Sequence, residues 1–120
     1  MLSGTRCLVV EDEELIALDI RQELEAAGAE VVCAATLADA AVALRGRRFD
    51  LGLLDLRLAP AETSLPVARA LDGAGTPFLF LTAEPGDAAE IAVFERPILE
   101  KPFLPHALMA AVQQALARGG

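Results

Sequence analysis

"FDLGLLDLRL", residues 49–58, decides how the rest of the chain is read. Of the five residues at positions 51–54 and 56, four are leucine, so the run around Asp55 has the character of a strand buried on both faces. It ends in a carboxylate and passes at once into a loop containing Pro60. An acid at the mouth of an apolar strand needs a partner or a task, because an unpaired buried charge is expensive.

Working outward, apolar runs alternate with helical patterns. "RCLVV" (6–10) reads as a first strand, and Ile16, Ile20 and Leu24 then recur at helical spacing until Gly28. "EVVCAA" (30–35) is a second strand, after which Thr36 can cap a helix to about Arg45, with Asp39 at the capping-box position. "DLGLL" (50–54) is the third strand, 66–71 lie within a third helix, and "PFLFL" (77–81) is the fourth strand. "PIL" (97–99) gives a short fifth strand whose proline suits a sheet edge. A last helix from about Leu104 to Ala117 is expected to bury Leu108, Val112 and Leu116.

Apolar strands separated by helices imply a parallel sheet covered on both faces. Five such units predict a flavodoxin-like (βα)5 three-layer sandwich, α/β in class, with strand order 2-1-3-4-5. Residues 84–97 break the rhythm. Pro85 and Gly86 open this segment, Pro97 closes it, and Asp87 with Glu90 are placed to cap it. Only roughly two to three turns fit, so the fourth helix is expected to be short, mobile or partly unwound.

The bulk properties bound the function. The 120 residues fit one domain spanning the whole chain, and 54% hydrophobic content excludes a disordered acidic tail. No apolar run is long enough to span a membrane, and the N-terminus lacks a secretory signal, so a soluble cytoplasmic protein is expected. A net charge of −8 argues against nucleic acid as a partner. Cys7 and Cys33 lie in apolar runs and are expected to be reduced, buried thiols. His106, the sole histidine, has no Cys or His nearby to share a metal.

In a parallel sheet, the residues just past each strand gather at one edge. Those residues are Glu11 and Asp12 after strand one, Asp55 after strand three, Thr82 after strand four and Lys101 after strand five. Two like unit charges ~4 Å apart repel by roughly 4 kcal/mol at an effective dielectric of ~20, so crowded acids need a proton or a cation. Lys101 supplies one positive charge, too few for three carboxylates. A hard divalent ion with oxygen ligands completes the neutralisation, Mg²⁺ above all, with Mn²⁺ as a substitute. An aspartate beside such an ion can attack a phosphoryl group, a reaction that needs mainly alignment and charge compensation. Asp55 then has its task, as a nucleophile.

"LVVEDE", "LLDL", "FLT" and "LEKPF" together resemble the receiver domain of bacterial two-component response regulators over nearly the whole chain. The resemblance implies that Asp55 accepts a phosphoryl group from a phosphohistidine on a sensor histidine kinase or a histidine phosphotransfer protein. It implies Mg²⁺ bound by Asp12, Asp55 and the backbone carbonyl of Arg57, with Glu11 acting mostly through a metal-bound water. Thr82 and Lys101 are then expected to hold phosphoryl oxygens, and the Lys101–Pro102 peptide to be cis.

"ETSLPVARAL", "GTPFLFLT" and "RPILEKPF" look like the small receivers named FAT GUY, a subgroup with a poorly formed fourth helix, although Leu81, Ala83 and Pro85 depart from its motif. The analogy implies a kinase of the HWE or a related type. Where receivers commonly carry a switching Tyr or Phe, three residues before the lysine, this chain has Ile98. Phosphorylation is therefore expected to pull Thr82 toward Asp55 and to order or shift residues 84–96. Leu15 and Leu18 lie roughly opposite the apolar stripe of the first helix and are expected to meet the kinase.

The downstream target is expected to be a protein. A chain starting at Met1 and ending "ARGG" after the last helix favours a stand-alone regulator over a receiver cut from a hybrid kinase. Three other readings fit less well. A degenerate receiver acting as a phosphorylation-independent interaction module has no need of Asp12, Asp55, Thr82 and Lys101 together. An aspartyl-phosphate hydrolase typically has an acid two residues after its nucleophile, where this chain has Arg57. A flavodoxin-like cofactor binder would meet repulsion from "EDEE" (11–14) in its first loop.

Overall fold

The strands are short, β-branched- and leucine-rich, and covered by helices on both sides. The computed structural model describes residues 2–84 and 86–118. In chain order these hold β1 Arg6–Val10, α1 Glu14–Ala26, β2 Glu30–Ala34, α2 Leu37–Gly46, β3 Leu51–Asp55, α3 Leu65–Gly73, β4 Phe78–Thr82, α4 Asp87–Ile91, β5 Ile98–Glu100 and α5 Pro105–Ala117. The five strands form one parallel sheet in the order β2-β1-β3-β4-β5. This is the flavodoxin-like arrangement expected from the alternation of apolar runs and helices.

Two apolar layers sandwich the sheet. One joins Val9, Leu53 and Leu81 to Ile20 and Leu24 of α1 and to Leu108 and Val112 of α5. The other joins Leu8, Leu54, Phe78 and Phe80 to Ala40 of α2, Val67 and Leu71 of α3 and Ile91 of α4. β1, β3 and β4 are thus buried on both faces, which is why their sequences do not alternate. Gly52 in β3 has a steric reason: a methyl group there would lie 2.5 Å from Leu71 Cδ1 and 3.3 Å from Phe78 Cβ, so the Leu71 side chain of α3 would have to shift to admit it. At α2 the Thr36 side chain accepts from the Asp39 N–H at 3.0 Å, as the capping position implies.

Several local expectations are corrected. Cys7 is buried as expected, and burial, aided by Asp50, raises its thiol to about 12. Cys33 is exposed, because β2 is the sheet's edge strand. In α5 the buried positions are Leu108, Ala111, Val112 and Ala115, with Leu116 only half-buried at the margin of the stripe. Residues 57–58 and 62–63 form a two-residue antiparallel ladder after β3, bridged by a loop with a cis Ala59–Pro60 bond. Strands that short leave no periodicity to read.

α4 is a five-residue helix followed by a 3-10 turn at Ala92–Phe94. Gly86 stands at its N-cap and gives no side-chain bond, so Asp87 and Glu90 do not cap it. Their carboxylates are taken by Arg57 instead. The segment closes with Glu95 in the left-handed region at φ 55. Pro85, expected to open the helix, and the chain ends Met1 and Gly119–Gly120 lie outside the described residues.

Candidate functional site

The parallel sheet delivers its strand ends to one edge. β1 passes into Glu11 and Asp12, β3 ends in Asp55, β4 ends in Thr82, and Lys101 follows β5. Ligand oxygens of Glu11, Asp12 and Asp55 lie within 4.8 Å of one another. Lys101 Nζ stands 2.7 Å from Glu11 Oε1 and 3.1 Å from Asp55 Oδ2. Its approach to Glu11 is close but off the line of a hydrogen bond, leaving Oε1 buried with an ion pair alone. Glu11 Oε2 accepts from the Glu13 N–H at 3.1 Å. Asp12, half-buried, accepts from the Ala59 N–H at 3.0 Å and so ties the β1 end to the loop after β3.

The electrostatics follow from crowding. Burial, then the Glu11 carboxylate beside it, pushes Asp55 from the ordinary 3.8 up to about 7, against the opposing pull of Lys101. For Lys101, burial works against the charge, but Glu11 and Asp55 outweigh it and its pKa is raised. One ammonium faces three carboxylates, a local excess of negative charge. An all-oxygen donor set with that excess fits a hard divalent cation such as Mg²⁺.

The other residues singled out from the sequence are also placed. Thr82 is buried, and its Oγ1 lies 3.1 Å from Asp87 Oδ2 and 3.1 Å from the Glu84 carbonyl. Arg57 lies two residues past Asp55, and its guanidinium reaches α4, 2.9 Å from Asp87 Oδ1 and 2.8 Å from Glu90 Oε2. The Lys101–Pro102 peptide is cis. Leu15 and Leu18 on α1 are exposed, at 77% and 47%, on the side away from buried Ile20 and Leu24. Asp87 was not expected at the site. Its partners stand five and 30 positions away in the chain, a pairing no local motif signals.

No family model matches the chain. The solution structure of SdrG from Sphingomonas melonis Fr1 is 34% identical over 93% of this chain and 96% of that one, with a TM-score of 0.81. The REC domain of the Erythrobacter litoralis PhyR response regulator is 25% identical over 98% and 94%, with a TM-score of 0.83. This chain belongs to the response regulator receiver domains.

The phyllosphere-induced regulator PhyR of Methylorubrum extorquens is 34% identical over 120 residues, 94% of this receiver and 44% of that protein. The receiver spans less than half the length of the curated relatives it matches. A receiver is a signalling domain rather than an enzyme with its own free substrate, and receivers bind Mg²⁺ at an acidic pocket of the kind Glu11, Asp12 and Asp55 form here. No described helix is long and apolar enough to cross a membrane.

Proposed function

We propose that residues 1–120 form a phospho-accepting receiver in which Asp55 takes a phosphoryl group from a phosphohistidine. The observation that carries the reading is the cluster itself, three carboxylates within 4.8 Å with Lys101 3.1 Å from Asp55. Asp12, Asp55 and the Arg57 carbonyl are the proposed ligands of Mg²⁺. Glu11, with one oxygen on Lys101 and the other on the Glu13 N–H, is left to act through water. When bound, the ion supplies charge neutralisation for the acceptor and the incoming phosphoryl oxygens.

In the proposed transfer an Asp55 oxygen forms a bond to phosphorus as the bond to the donor imidazole nitrogen breaks, and that nitrogen keeps the electron pair. Ionised Asp55 is the competent form, and Lys101 favours it. Lys101 then holds one phosphoryl oxygen and the Thr82 hydroxyl donates to another. Leu15 and Leu18 present an apolar face to the donor. Beside them a groove of about 590 Å³, lined by Ile16, Phe103 and Leu108 among others, runs between α1 and α5. The donor is proposed to be a sensor kinase of the HWE or a related type, or a phosphotransfer protein, working in the cytoplasm. The weak α4 and the likeness to SdrG and PhyR support placing the chain with the FAT GUY receivers. Output is proposed to pass through protein contacts.

Incubation with acetyl phosphate and Mg²⁺, read by intact mass, tests the reading. One phosphoryl addition that Asp55→Asn abolishes is the expected result. No addition to the wild-type chain would favour a phosphorylation-independent module, and steady release of phosphate from added esters would favour a hydrolase.

A further inference from the structure

Thr82 has one hydroxyl proton and more than one claim upon it. The oxygen accepts from the Glu84 N–H at 3.2 Å, and its proton faces both the Glu84 carbonyl and Asp87 Oδ2 at 3.1 Å. A hydroxyl offers a single donor, so a bond to any further acceptor requires one of these to be given up. The carboxylate is the stronger claimant, because hydrogen bonds to an ionised acceptor are roughly twice as strong as neutral ones. Asp87 is itself buried, and its other oxygen takes the Arg57 Nη2 at 2.9 Å and Nε at 3.3 Å. Arg57 also reaches Glu90 at 2.8 Å. Thr82 at the end of β4, Arg57 just past β3, and Asp87 and Glu90 on α4 therefore form one connected set.

We infer that Asp87 is a positioning residue for Thr82, holding its hydroxyl toward α4 in competition with the phosphoryl group. The inference rests on Asp55 being the acceptor and adds the residue that sets how readily the phosphorylated state forms. A phosphoryl oxygen on Asp55 gains the Thr82 hydroxyl only by taking it from Asp87. One O–H···O bond is broken and one is made, and no proton changes owner. Asp87 Oδ2 is then buried without its donor, an arrangement that drives the carboxylate and the helix bearing it to move. α4 is five residues long with no side-chain cap, so the Arg57 pairs, Ile91, and Phe94 of the 3-10 turn that follows are the contacts the movement must carry along or loosen. Arg57 couples the shift back to the loop beside the acceptor.

The test is the affinity of the full chain for beryllofluoride with Mg²⁺, a phosphoryl mimic, followed by ¹⁹F NMR. Asp87→Ala is expected to bind about 5- to 10-fold more tightly than wild type, the fold-change of one ordinary hydrogen bond no longer competing. Asp87→Asn keeps the shape and an acceptor oxygen, and is expected to gain about 2- to 3-fold, as a weaker neutral competitor should. It carries the test if the alanine variant does not fold. In a Thr82→Val background both gains are expected to vanish, which a merely structural role for Asp87 would not produce. A folded Asp87 variant with unchanged or weaker binding, or a gain that survives in Thr82→Val, overturns the inference and leaves the acceptor role standing. A wild-type chain that binds no beryllofluoride overturns both.

Discussion

Asp55 sits where its own neighbours disfavour its charge. With a carboxyl pushed up to about 7 in the folded chain against about 3.8 when unfolded, the native state holds the extra proton between those values. Folding stability of the metal-free chain should therefore fall as pH rises from about 4 to about 7, since the unfolded chain releases that proton first. Asp55→Asn removes the penalty and is expected to stabilise the metal-free protein by ~2 kcal/mol at pH 8, and by little at pH 4. Thermal melts across that range check it; an equal effect at both ends would contradict the cause assigned here. The acids, the threonine and the lysine were legible because each stands at the last position of an apolar strand or just past it. Asp87 was not, because only the folded chain brings it to Thr82 and Arg57. Cys33 misled for a related reason: its apolar neighbours do not reveal that β2 lies at the edge.

Among the elements, α4 is the weak one. Its five residues fall well short of the length at which a helix persists alone, and no side chain caps its start. Phe94 packs edge-on to Phe78 and tilted against Phe80, with Arg96 over the Phe78 ring, so the far end of the segment is better held than its start. Amide exchange along 87–91 is expected to run faster than along the buried turns of α1 and α5 in the unphosphorylated chain. Equal protection would show that the Arg57 pairs and Ile91 suffice to hold it. Pro and Gly in the sequence announced the weakness of this helix. They did not announce that Asp87 and Glu90 would turn to Arg57 rather than cap it, nor that a two-residue ladder would follow β3.

At the scale of the whole molecule, the sheet is a device for gathering charge. Parallel strands in the order 2-1-3-4-5 bring side chains from positions 11, 12, 55 and 101 to one edge, and two apolar layers hold that edge rigid. This order was legible because strands covered on both faces leave uninterrupted apolar runs. A cation binding only the folded chain stabilises it by about 1.4 kcal/mol at tenfold excess over its dissociation constant, worth about 5 °C in a domain this size. Mg²⁺ is therefore expected to raise the melting temperature of the wild-type chain and to leave Asp12→Ala nearly unmoved; equal shifts would place the ion elsewhere. The most direct measurement is phosphoryl incorporation from acetyl phosphate as Mg²⁺ is titrated into chelator-treated protein, with the modified residue located by peptide mass. Incorporation at Asp55 that rises to saturation with Mg²⁺ and is lost on chelation is the expected result. Incorporation that ignores the metal, or that lands on another residue, would contradict it.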